Sequence, residues 1–441
     1  MNIILLSGGS GKRLWPLSND TMSKQFLRLL RNESGEKESM VQRVFRQIKQ
    51  TSIDANIVIA TGKSQVESIK SQLGENVDIV VEPERRNTFP AILLASAYLK
   101  YKKNVSNDDT VLVLPVDPYT ENAYFETLLK MDKVIQSSIS DMTLMGITPT
   151  YPSEKYGYII CENTNEEAKK VIKFQEKPTL DKAKQLLAQG AYWNAGVFGF
   201  KLGYIMNILN SNILVQSYEE VYERFSELKK DSFDYEVVEK ANSINMVAYK
   251  GEWKDLGTWN TLTEQMPSNH GNVITGEGNE NVSVVNVEDK PVVVLGLKDV
   301  VVVNSTEGVL VSDKGKSSYL KPYVENLNEG RPMFEEKRWG EYKVLEANEF
   351  SNGIKTLTKH LTIKQGKSIS MQLHHKRDEI WTIVSGEGEL TIDENTRKVT
   401  VGEIVNIKKE QKHKIVALTD LHIIETQIGE QLIEEDIERL D

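Results

Sequence analysis

A glycine-rich, basic segment follows the first apolar run of the chain, which ends near Leu6. Successive glycines after a strand leave backbone N–H groups open to an anion, and nearby basic side chains add positive charge. The spacing fits neither a Walker loop nor the Gly-x-Gly-x-x-Gly pattern, since Leu14 stands at the last glycine position. The alternative is a tight turn flanked by solvated basic residues. The residues that could hold an anion are Gly8, Gly9, Gly11, Lys12, Arg13 and Lys24.

A second group of polar side chains lies towards the carboxyl end of the chain. Gln372 and His374 are two residues apart, so their side chains would share one face of an extended strand. A turn and a later strand could bring Glu379 and His413 to the same point. Two imidazoles with a carboxylate suit a transition metal such as Zn²⁺, Mn²⁺, Fe²⁺ or Ni²⁺. The alternative is that these histidines are the ordinary polar lining of a barrel without a metal.

The elements around the glycine segment alternate between strand and helix patterns. This rhythm predicts an α/β fold with a mostly parallel sheet and helices on both faces. Ligands of such sheets bind at the carboxyl ends of the strands, where the glycine segment and Asp117 fall. The predicted strands cover 2–7, 55–61, 77–83 and 110–117, and the predicted helices cover 39–50, 65–73 and 90–103.

The pattern changes after residue 266. Short valine-rich segments separated by Gly, Asn and Asp turns predict a small β module over 267–325. Further short strands at even spacing over 338–430 predict a small β-barrel or sandwich. The predicted domains are therefore 1–266, 267–330 for the β module with its linker, and 331–441.

Composition limits the class of protein. The 441 residues carry a net charge of −10 without a long basic tract, which argues against a nucleic-acid partner. Cys161 is the one cysteine, so intrachain disulfides and cysteine metal sites are excluded. The chain shows no signal-peptide pattern and no apolar run long enough for a membrane span. We therefore expect a cytoplasmic protein with no membrane partner.

Further motifs follow the glycine segment in order: VEPERRNTFPAI, LPVDPYT, KYGYI, KFQEKP, WNAGVF and WKDLGTW. Together with GGSGKRLWPLS and SKQF, they resemble the nucleotidyltransferases that join a sugar 1-phosphate to a nucleoside triphosphate. Within that group, the chain resembles the bacterial mannose-1-phosphate guanylyltransferases over essentially its whole length. The resemblance implies a Rossmann-like transferase domain that uses Mg²⁺, GTP and mannose 1-phosphate to make GDP-mannose, which would feed polysaccharide or glycoconjugate synthesis.

The resemblance also implies roles for the charged residues. A sugar phosphate oxygen attacks the α-phosphorus and pyrophosphate leaves, so two polyanions must meet beside cations. Arg13 would steady the charge at the α-phosphate, and Lys24 would hold phosphate near the reacting end. Asp117 and Asp255 would hold one Mg²⁺, although either alone would more often be a turn or cap residue. The implied nucleotide contacts are Leu6, Gly8, Gly9, Gly11, Lys12, Arg13, Arg86 and Asn87.

Base and sugar recognition fall to other motifs. Arg86 and Asn87 can read a purine edge by paired hydrogen bonds, and Asn87 can also cap the helix that follows it. A glutamate accepts hydrogen bonds from sugar hydroxyls, a neighbouring lysine can hold the sugar phosphate, and a glycine lets the backbone approach the sugar. The implied sugar-phosphate contacts are Gly157, Glu176, Lys177 and Asn194.

The carboxyl-terminal part resembles a cupin, and more narrowly the C-terminal domain of type II phosphomannose isomerases. An active tail would bind an open-chain sugar at its metal and move a proton between C1 and C2 through an enediol. His375 and Arg377 would assist this step. The implied metal ligands are Gln372, His374, Glu379 and His413.

Two departures from the usual motifs leave the sugar open. Ser23 precedes Lys24 where the family commonly has proline, and Pro118 follows Asp117 where it commonly has histidine. A transferase for a different sugar 1-phosphate or nucleotide, with a non-catalytic cupin, is the first alternative. A nucleotide-sugar-binding protein without catalysis is the second. Exposed strand edges around 291–303 also suggest a homodimer.

Overall fold

The structure is a computed structural model, and its described residues fall into two compact units. The N-terminal unit comprises residues 1–9, 25–66 and 73–257, and the C-terminal unit comprises the other described residues. The described residues are 1–9, 12–19, 22–266, 268–325, 327 and 332–440.

A nine-stranded mixed sheet forms the centre of the N-terminal unit. The strands of this unit are β1 (Asn2–Ser7), β2 (Leu30–Arg31), β3 (Lys37–Glu38), β4 (Asn56–Gly62), β5 (Asp78–Glu82), β6 (Thr110–Pro115), β7 (Pro118–Thr120), β8 (Met142–Ile147), β9 (Tyr158–Cys161), β10 (Ala168–Gln175), β11 (Tyr192–Lys201), β12 (Ile244–Tyr249) and β13 (Trp253–Asp255). The sheet order is β5-β4-β1-β6-β11-β8-β12-β10-β9.

The sheet is parallel from β5 to β6, as the alternating strand and helix patterns predict. Beyond β6 it is mixed, because β11 pairs antiparallel with both β6 and β8. Parallel β1, β4 and β6 are buried and consist of almost continuous apolar runs, which is why the sequence marks them clearly. The predicted α/β class is confirmed.

Helices flank this sheet. The helix α3 is buried along most of its length, because it packs in the main apolar core of the unit. Its first turn, with Phe89 and Pro90, therefore faces protein rather than solvent. The helices up to residue 257 are α1 (Met40–Gln50), α2 (Val66–Leu73), α3 (Thr88–Tyr101), α4 (Asn122–Gln136), α5 (Leu180–Ala188), α6 (Leu202–Asn212), α7 (Tyr218–Glu223) and α8 (Phe233–Glu236), with 3₁₀ turns at Lys12–Leu14, Lys24–Phe26, Lys63–Gln65, Phe225–Glu227 and Val238–Lys240.

A small β module of short strands begins the later part of the C-terminal unit, as the valine-rich segments predict. β14 pairs parallel with β16, β15 pairs parallel with β17, and β18 closes the second sheet. Asn304 Nδ2 donates to Asn286 Oδ1 at 3.0 Å and so links paired positions of β15 and β17. The elements are β14 (Val273–Thr275), β15 (Ser283–Asn286), β16 (Val292–Val294), β17 (Val300–Ser305), β18 (Gly308–Asp313), the helices α9 (Trp259–Glu264) and α10 (Lys321–Val324), and a 3₁₀ turn at Lys316–Tyr319.

The described part of segment 12–24 belongs to the C-terminal unit, not to the sheet that precedes it in sequence. Trp259 Nε1 donates to the carbonyl of Trp15 at 2.9 Å, and Ser305 Oγ donates to that of Pro16 at 3.0 Å. Both contacts come from residues far along the chain. The residues that follow the glycines are therefore held by the β module and its neighbouring helix.

A closed antiparallel β-barrel completes the C-terminal unit, as the resemblance to cupins implies. Its core surrounds Trp381, which is fully buried. The sheet orders are β19-β20-β21-β28-β23-β26 and β25-β24-β27-β22-β29. The strands are β19 (Phe334–Lys337), β20 (Gly340–Glu349), β21 (Lys355–Ile363), β22 (Ser368–His374), β23 (Arg377–Ser385), β24 (Gly388–Ile392), β25 (Asn395–Val399), β26 (Ile404–Ile407), β27 (His413–Ala417), β28 (Leu421–Gly429) and β29 (Ile437–Arg439), with a 3₁₀ turn at Glu434–Asp436.

Candidate functional site

A cavity of about 370 Å³ lies at the carboxyl ends of β1, β4 and β5, and we term it the loop cavity. Gln65 stabilises the glycine segment, since its Nε2 donates to the carbonyl of Gly9 at 3.1 Å. Gln25 Nε2 donates in turn to Gln65 Oε1 at 3.2 Å. Neither glutamine was singled out from the sequence. The walls of the cavity include Leu6, Gly8, Gly9, Glu82, Arg86, Asn87 and Asp117.

The two residues predicted to read the base are engaged within the protein. Nε and Nη2 of Arg86 donate to the carbonyl of Leu228 at 3.2 and 3.0 Å, and Nη1 donates to Glu84 at 2.9 Å. Asn87 has a positive φ of 75° and is the N-cap of α3, where its Oδ1 accepts from Thr88 N at 2.9 Å. The capping alternative is therefore observed for Asn87. Base reading by either side chain stays a prediction.

A second cavity, of about 200 Å³, shares Pro115 and Asp117 with the first, and we term it the aspartate cavity. β7 pairs antiparallel with β13, and Asp255 stands opposite Pro118 in that pair. This register places Asp255 opposite the residue that follows Asp117, and both aspartates line the aspartate cavity. The two carboxylates predicted to share a metal thus reach one site from distant parts of the sequence.

The negative charges of Asp117 and Asp255 affect the pKa of another residue that lines the aspartate cavity. Burial raises the pKa of the Tyr156 phenol, and Asp255 and then Asp117 add to this shift. Both carboxylates therefore contribute negative potential at the same wall. Mg²⁺ that also binds phosphates takes one or two carboxylate ligands from a protein, so the residues fit this ion.

Three of the four predicted sugar contacts meet in the aspartate cavity. A Cβ placed on Gly157 would lie 2.4 Å from Glu176 Oε2 and 3.2 Å from Asn194 Cβ, so this position has no room for a side chain. The backbone N–H of Asn194 donates to the carbonyl of Gly157 at 2.8 Å. Lys177 does not line the cavity, but its Nζ lies 2.7 Å from Glu176 Oε1. Gly157, Glu176 and Asn194 thus form one compact polar group in the aspartate cavity.

Asp234 is a lining residue that sequence reasoning missed. Asn194 Nδ2 donates to Asp234 Oδ1 at 2.6 Å, which fixes the amide in the aspartate cavity. Burial raises the pKa of Asp234 to about 6, and the charge of Glu176 adds to the shift. The sequence carries no signal for this role, because Asp234 lies on the short helix α8 and is adjacent to Asn194 only in the folded chain.

The predicted cations lie in the C-terminal unit. Lys12 Nζ donates to the carbonyl of Glu325 at 2.8 Å, Arg13 is exposed, and Lys24 is half-buried. Gly11 lies outside the described residues. The assignment of these residues to the nucleotide phosphates stays a prediction.

The predicted metal ligands of the barrel converge in its interior. His374 Nε2 lies 3.1 Å from Glu379 Oε1, and His413 Nε2 lies 3.7 Å from Glu379 Oε2. The amide nitrogen of Gln372 lies 3.5 Å from His413 Nε2. β22, β23 and β27 supply these residues, and all four are buried.

Both imidazoles are held in a form that suits a metal. His413 Nδ1–H donates to the carbonyl of Gln411 at 3.0 Å, which leaves the lone pair on Nε2 and directs it towards Glu379. Burial lowers the pKa of His374 to about 4, so this ring is neutral at ordinary pH. Neutral imidazoles with a carboxylate are a donor set for a divalent transition metal, and the residues fit one.

Glu379 is the centre of a buried hydrogen-bond network. Its Oε1 accepts from Arg377 Nε at 3.0 Å and from Gln427 Nε2 at 3.3 Å, and its Oε2 accepts from Trp381 Nε1 at 3.1 Å. Burial alone would raise the pKa of Glu379, but the charge of Arg377 and its hydrogen bond hold the pKa below its usual value. The carboxylate is therefore ionised, and Oε2 keeps one acceptor position for a cation.

His375, by contrast, is exposed and lies outside this cluster. Its ring nitrogens lie 2.8 Å from Glu410 Oε1 and 2.9 Å from Glu438 Oε2. These hydrogen bonds raise the pKa of the ring. A catalytic role for His375 or Arg377 stays a prediction.

No helix in the described ranges is both long and apolar enough to cross a membrane.

Two family models match the chain. The model described as "Nucleotidyl transferase" matches residues 2–270, and the one described as "Mannose-6-phosphate isomerase C-terminal" matches residues 330–441. The first covers both cavities, and the second covers the barrel with its histidine and glutamate cluster.

Similar proteins match over nearly the whole chain. The alginate biosynthesis protein AlgA of Pseudomonas putida is 31% identical over 99% of this chain and 95% of its own. A mannose-1-phosphate guanylyltransferase of Klebsiella pneumoniae is 28% identical over 99% and 98%. Among solved structures, a Thermus thermophilus protein described as a mannose-1-phosphate geranyltransferase is 26% identical, with a TM-score of 0.62 over 74% of this chain and 98% of that one. With both cavities inside the matched range, the chain belongs to the nucleotidyl transferase family and carries a mannose-6-phosphate isomerase C-terminal domain.

Proposed function

We propose that this protein makes GDP-mannose and pyrophosphate from mannose 1-phosphate and GTP. We assign the transfer to 1–266, the β module and linker to 267–330, and a second activity to 331–441. The Klebsiella pneumoniae relative, which is named a mannose-1-phosphate guanylyltransferase, supports the choice of substrates. A cytoplasmic location fits this chemistry, because nucleoside triphosphates are made there.

One observation carries the proposal: the loop cavity and the aspartate cavity meet at Asp117. The first has a size and a glycine wall suited to a nucleotide, and the second has carboxylate and amide groups suited to sugar hydroxyls. A nucleotide in one and a sugar phosphate in the other would have their phosphates near Asp117. Such an arrangement suits the joining of two substrates better than the binding of one.

The reaction requires positioning rather than a covalent intermediate. An oxygen of the sugar phosphate forms a bond to the α-phosphorus of GTP, and the bond from that phosphorus to the β-phosphate oxygen breaks, so pyrophosphate leaves. Glu176, Asn194 and the backbone at Gly157 would hold the sugar in line with that bond. We assign phosphate contacts to Arg13, Lys24 and the glycine segment.

Asp117 and Asp255 would hold Mg²⁺ in this proposal. The ion would neutralise charge on the phosphates of the two substrates. Both aspartates would serve the transfer by holding the ion at the wall of the aspartate cavity that they share.

Pyrophosphate release from purified protein tests the proposal. We expect release with Mg²⁺, GTP and mannose 1-phosphate to exceed that with ATP, CTP or UTP and with other sugar 1-phosphates. Preference for another pair would assign the site to a different sugar nucleotide. Tight GDP-mannose binding without release from any pair would favour a binding protein.

Gly157→Ala is expected to raise the KM for mannose 1-phosphate by about tenfold or more, since its Cβ would meet the carboxylate of Glu176 and displace it. The KM for GTP should change little, because Gly157 does not line the loop cavity. Gly190→Ala is not an equivalent control, since Gly190 has a positive φ. Gly62→Ala also adds a methyl group, but at a different site. Gly62 lines the loop cavity, and a Cβ placed there would have open space around it. An unchanged KM for the sugar in Gly157→Ala would contradict the assignment.

We further propose that the barrel binds a divalent transition metal and interconverts mannose 6-phosphate and fructose 6-phosphate. The convergence of His374, Glu379 and His413 in the interior supports it. Zn²⁺, Mn²⁺, Fe²⁺ and Ni²⁺ should be compared in a coupled isomerase assay after chelation. A barrel that binds metal without turnover would leave a structural or regulatory role.

A further inference from the structure

We infer that Glu307 is a positioning residue for the transfer, because its carboxylate ties the segment that carries Arg13 and Lys24 to the β module and to the start of the barrel. The inference rests on the proposed function, in which Arg13 and Lys24 contact the phosphates. Glu307 would act through these two cations and would not itself contact the reacting atoms.

Glu307 lies in a tight turn between β17 and β18, and we term residues 305–308 the module turn. Ser305 and Gly308 are paired across this turn. The backbone N–H of Glu307 donates to Ser305 Oγ at 3.2 Å. The backbone of Glu307 is therefore held both by the strand pair on either side of it and by a side-chain hydrogen bond.

The module turn contacts the segment that follows Arg13. Ser305 Oγ donates to the carbonyl of Pro16 at 3.0 Å. A Cβ placed on Gly308 would lie 2.8 Å from Trp15 Cζ2, so the glycine lets the turn pack directly against this indole. These contacts hold the chain immediately after Arg13.

The carboxylate of Glu307 extends the contact towards Lys24. Glu307 Oε1 accepts from Asn19 Nδ2 at 3.2 Å and from the backbone N–H of Met333 at 2.8 Å. Asn19 is buried, and its Oδ1 accepts from the backbone N–H of Met22 at 2.7 Å. One oxygen of Glu307 therefore holds the asparagine that binds the chain at Met22, shortly before Lys24.

Met333 brings the barrel to the same carboxylate. It immediately precedes β19, the first strand of the barrel, and its carbonyl accepts from the backbone N–H of Val344 at 2.7 Å. Three parts of the chain, namely segment 12–24, the module turn and the start of the barrel, therefore meet at Glu307.

The hydrogen bonds to Glu307 also favour its charge. Burial raises the pKa of Glu307, and the N–H donors of Met333 and Asn19 oppose this shift. An ionised carboxylate accepts hydrogen bonds more strongly than a neutral group does. Loss of the carboxylate would leave the buried amide of Asn19 without this acceptor, so the hold on Asn19 should weaken.

Order in this segment matters for the transfer, because its cations must face the charge that develops on the phosphates. Preorganised cations stabilise such charge without reorganisation, and a displacement of about 1 Å can cost about 100-fold in rate. The contacts of the module turn fall between Arg13 and Lys24 in the chain, so their loss should displace both cations.

Glu307→Ala is expected to lower kcat for pyrophosphate release by about 10- to 100-fold, because both cations lose their order. The KM for mannose 1-phosphate should change little, since the proposed sugar contacts belong to the N-terminal unit. Glu307→Gln should keep most of the wild-type kcat, because an amide oxygen can accept the same two hydrogen bonds. Glu277→Ala is the matched control, since it removes an exposed carboxylate from another turn of the β module.

A double variant separates positioning from a general loss of stability. When the residual activity of Lys24→Ala is the reference, Glu307→Ala should lower kcat by a markedly smaller factor than it does in the wild-type protein, because a cation through which it acts is gone. Hydrogen exchange provides a readout that is independent of turnover. A peptide that contains Met22 should exchange faster in Glu307→Ala, while unchanged exchange in β1 and β6 shows that the variant is folded.

The outcomes separate the inference from the proposed function. If the wild-type protein releases pyrophosphate from GTP and mannose 1-phosphate and Glu307→Ala keeps the wild-type kcat, the inference is wrong and the transferase proposal stands. The same conclusion follows if Glu307→Ala lowers kcat by an equal factor with and without Lys24. If the wild-type protein releases no pyrophosphate from any pair of substrates, both are wrong.

Discussion

Asp255→Asn is expected to lower kcat for pyrophosphate release by about 10³-fold, the scale seen when a preorganised electrostatic contact is removed from a transition state. Asp255 and Asp117 come to one wall through the pairing of β13 with β7. The amide keeps the shape of the side chain and the backbone pairing, so the fold should persist. It removes one of the two charges that fit Mg²⁺, and Asp117→Asn should have a similar effect.

A measurement of nucleotide binding distinguishes the loss of a metal ligand from damage to the nucleotide pocket. With Mg²⁺ chelated, Asp255→Asn should bind GTP at least as well as the wild-type protein does, because an anion that faces the phosphates has been removed. Asp181→Asn is the control, since Asp181 is exposed on α5 and lines neither cavity. The metal assignment fails if Asp255→Asn retains wild-type kcat at saturating Mg²⁺.

The fold was predictable where its signals are local. Buried runs such as residues 2–7 and 110–115 mark β1 and β6, and the apolar spacing after Ser39 marks α1, whose capping box the structure contains. Pairing between distant strands has no such signal. The antiparallel entry of β11 between β6 and β8 depends on contacts between residues dozens of positions apart. The grouping of 12–24 with the β module depends on contacts between residues hundreds of positions apart.

The residues of the candidate site likewise divide into those with a local sequence signal and those without one. Gly157, Glu176 and Asn194 stand in short motifs that the sequence displays, and the structure brings them into one cavity. Asp234 and Glu82 were missed, because an acidic residue at the end of a strand or in a short helix is usually solvated. Their burial and neighbours, not their type, distinguish them, and both properties exist only in the folded chain.

Glu379→Gln is expected to abolish metal binding by the barrel and any isomerase activity with it. Glu379 supplies the one carboxylate of the converging cluster and contacts both histidines. Metal analysis of the dialysed protein, beside the coupled isomerase assay, provides the measurement. Glu389→Gln is the control, since Glu389 is exposed on β24. A full complement of metal in Glu379→Gln would contradict the ligand assignment.

The same substitution should also destabilise the barrel, because it leaves Arg377 buried beside a neutral amide. Removal of one partner from a buried ion pair costs about 3–5 kcal/mol, and Asp436, 3.5 Å from Arg377 Nη1, should keep the loss near the lower figure. Thermal unfolding of the metal-free proteins isolates this effect from the loss of metal. The double variant Arg377→Met with Glu379→Gln should recover much of the stability, since the stranded charge is gone, yet it should bind no metal. If the double variant were as unstable as Glu379→Gln alone, the ion pair would not be the cause, and the network through Trp381 and Gln427 would have to account for the loss.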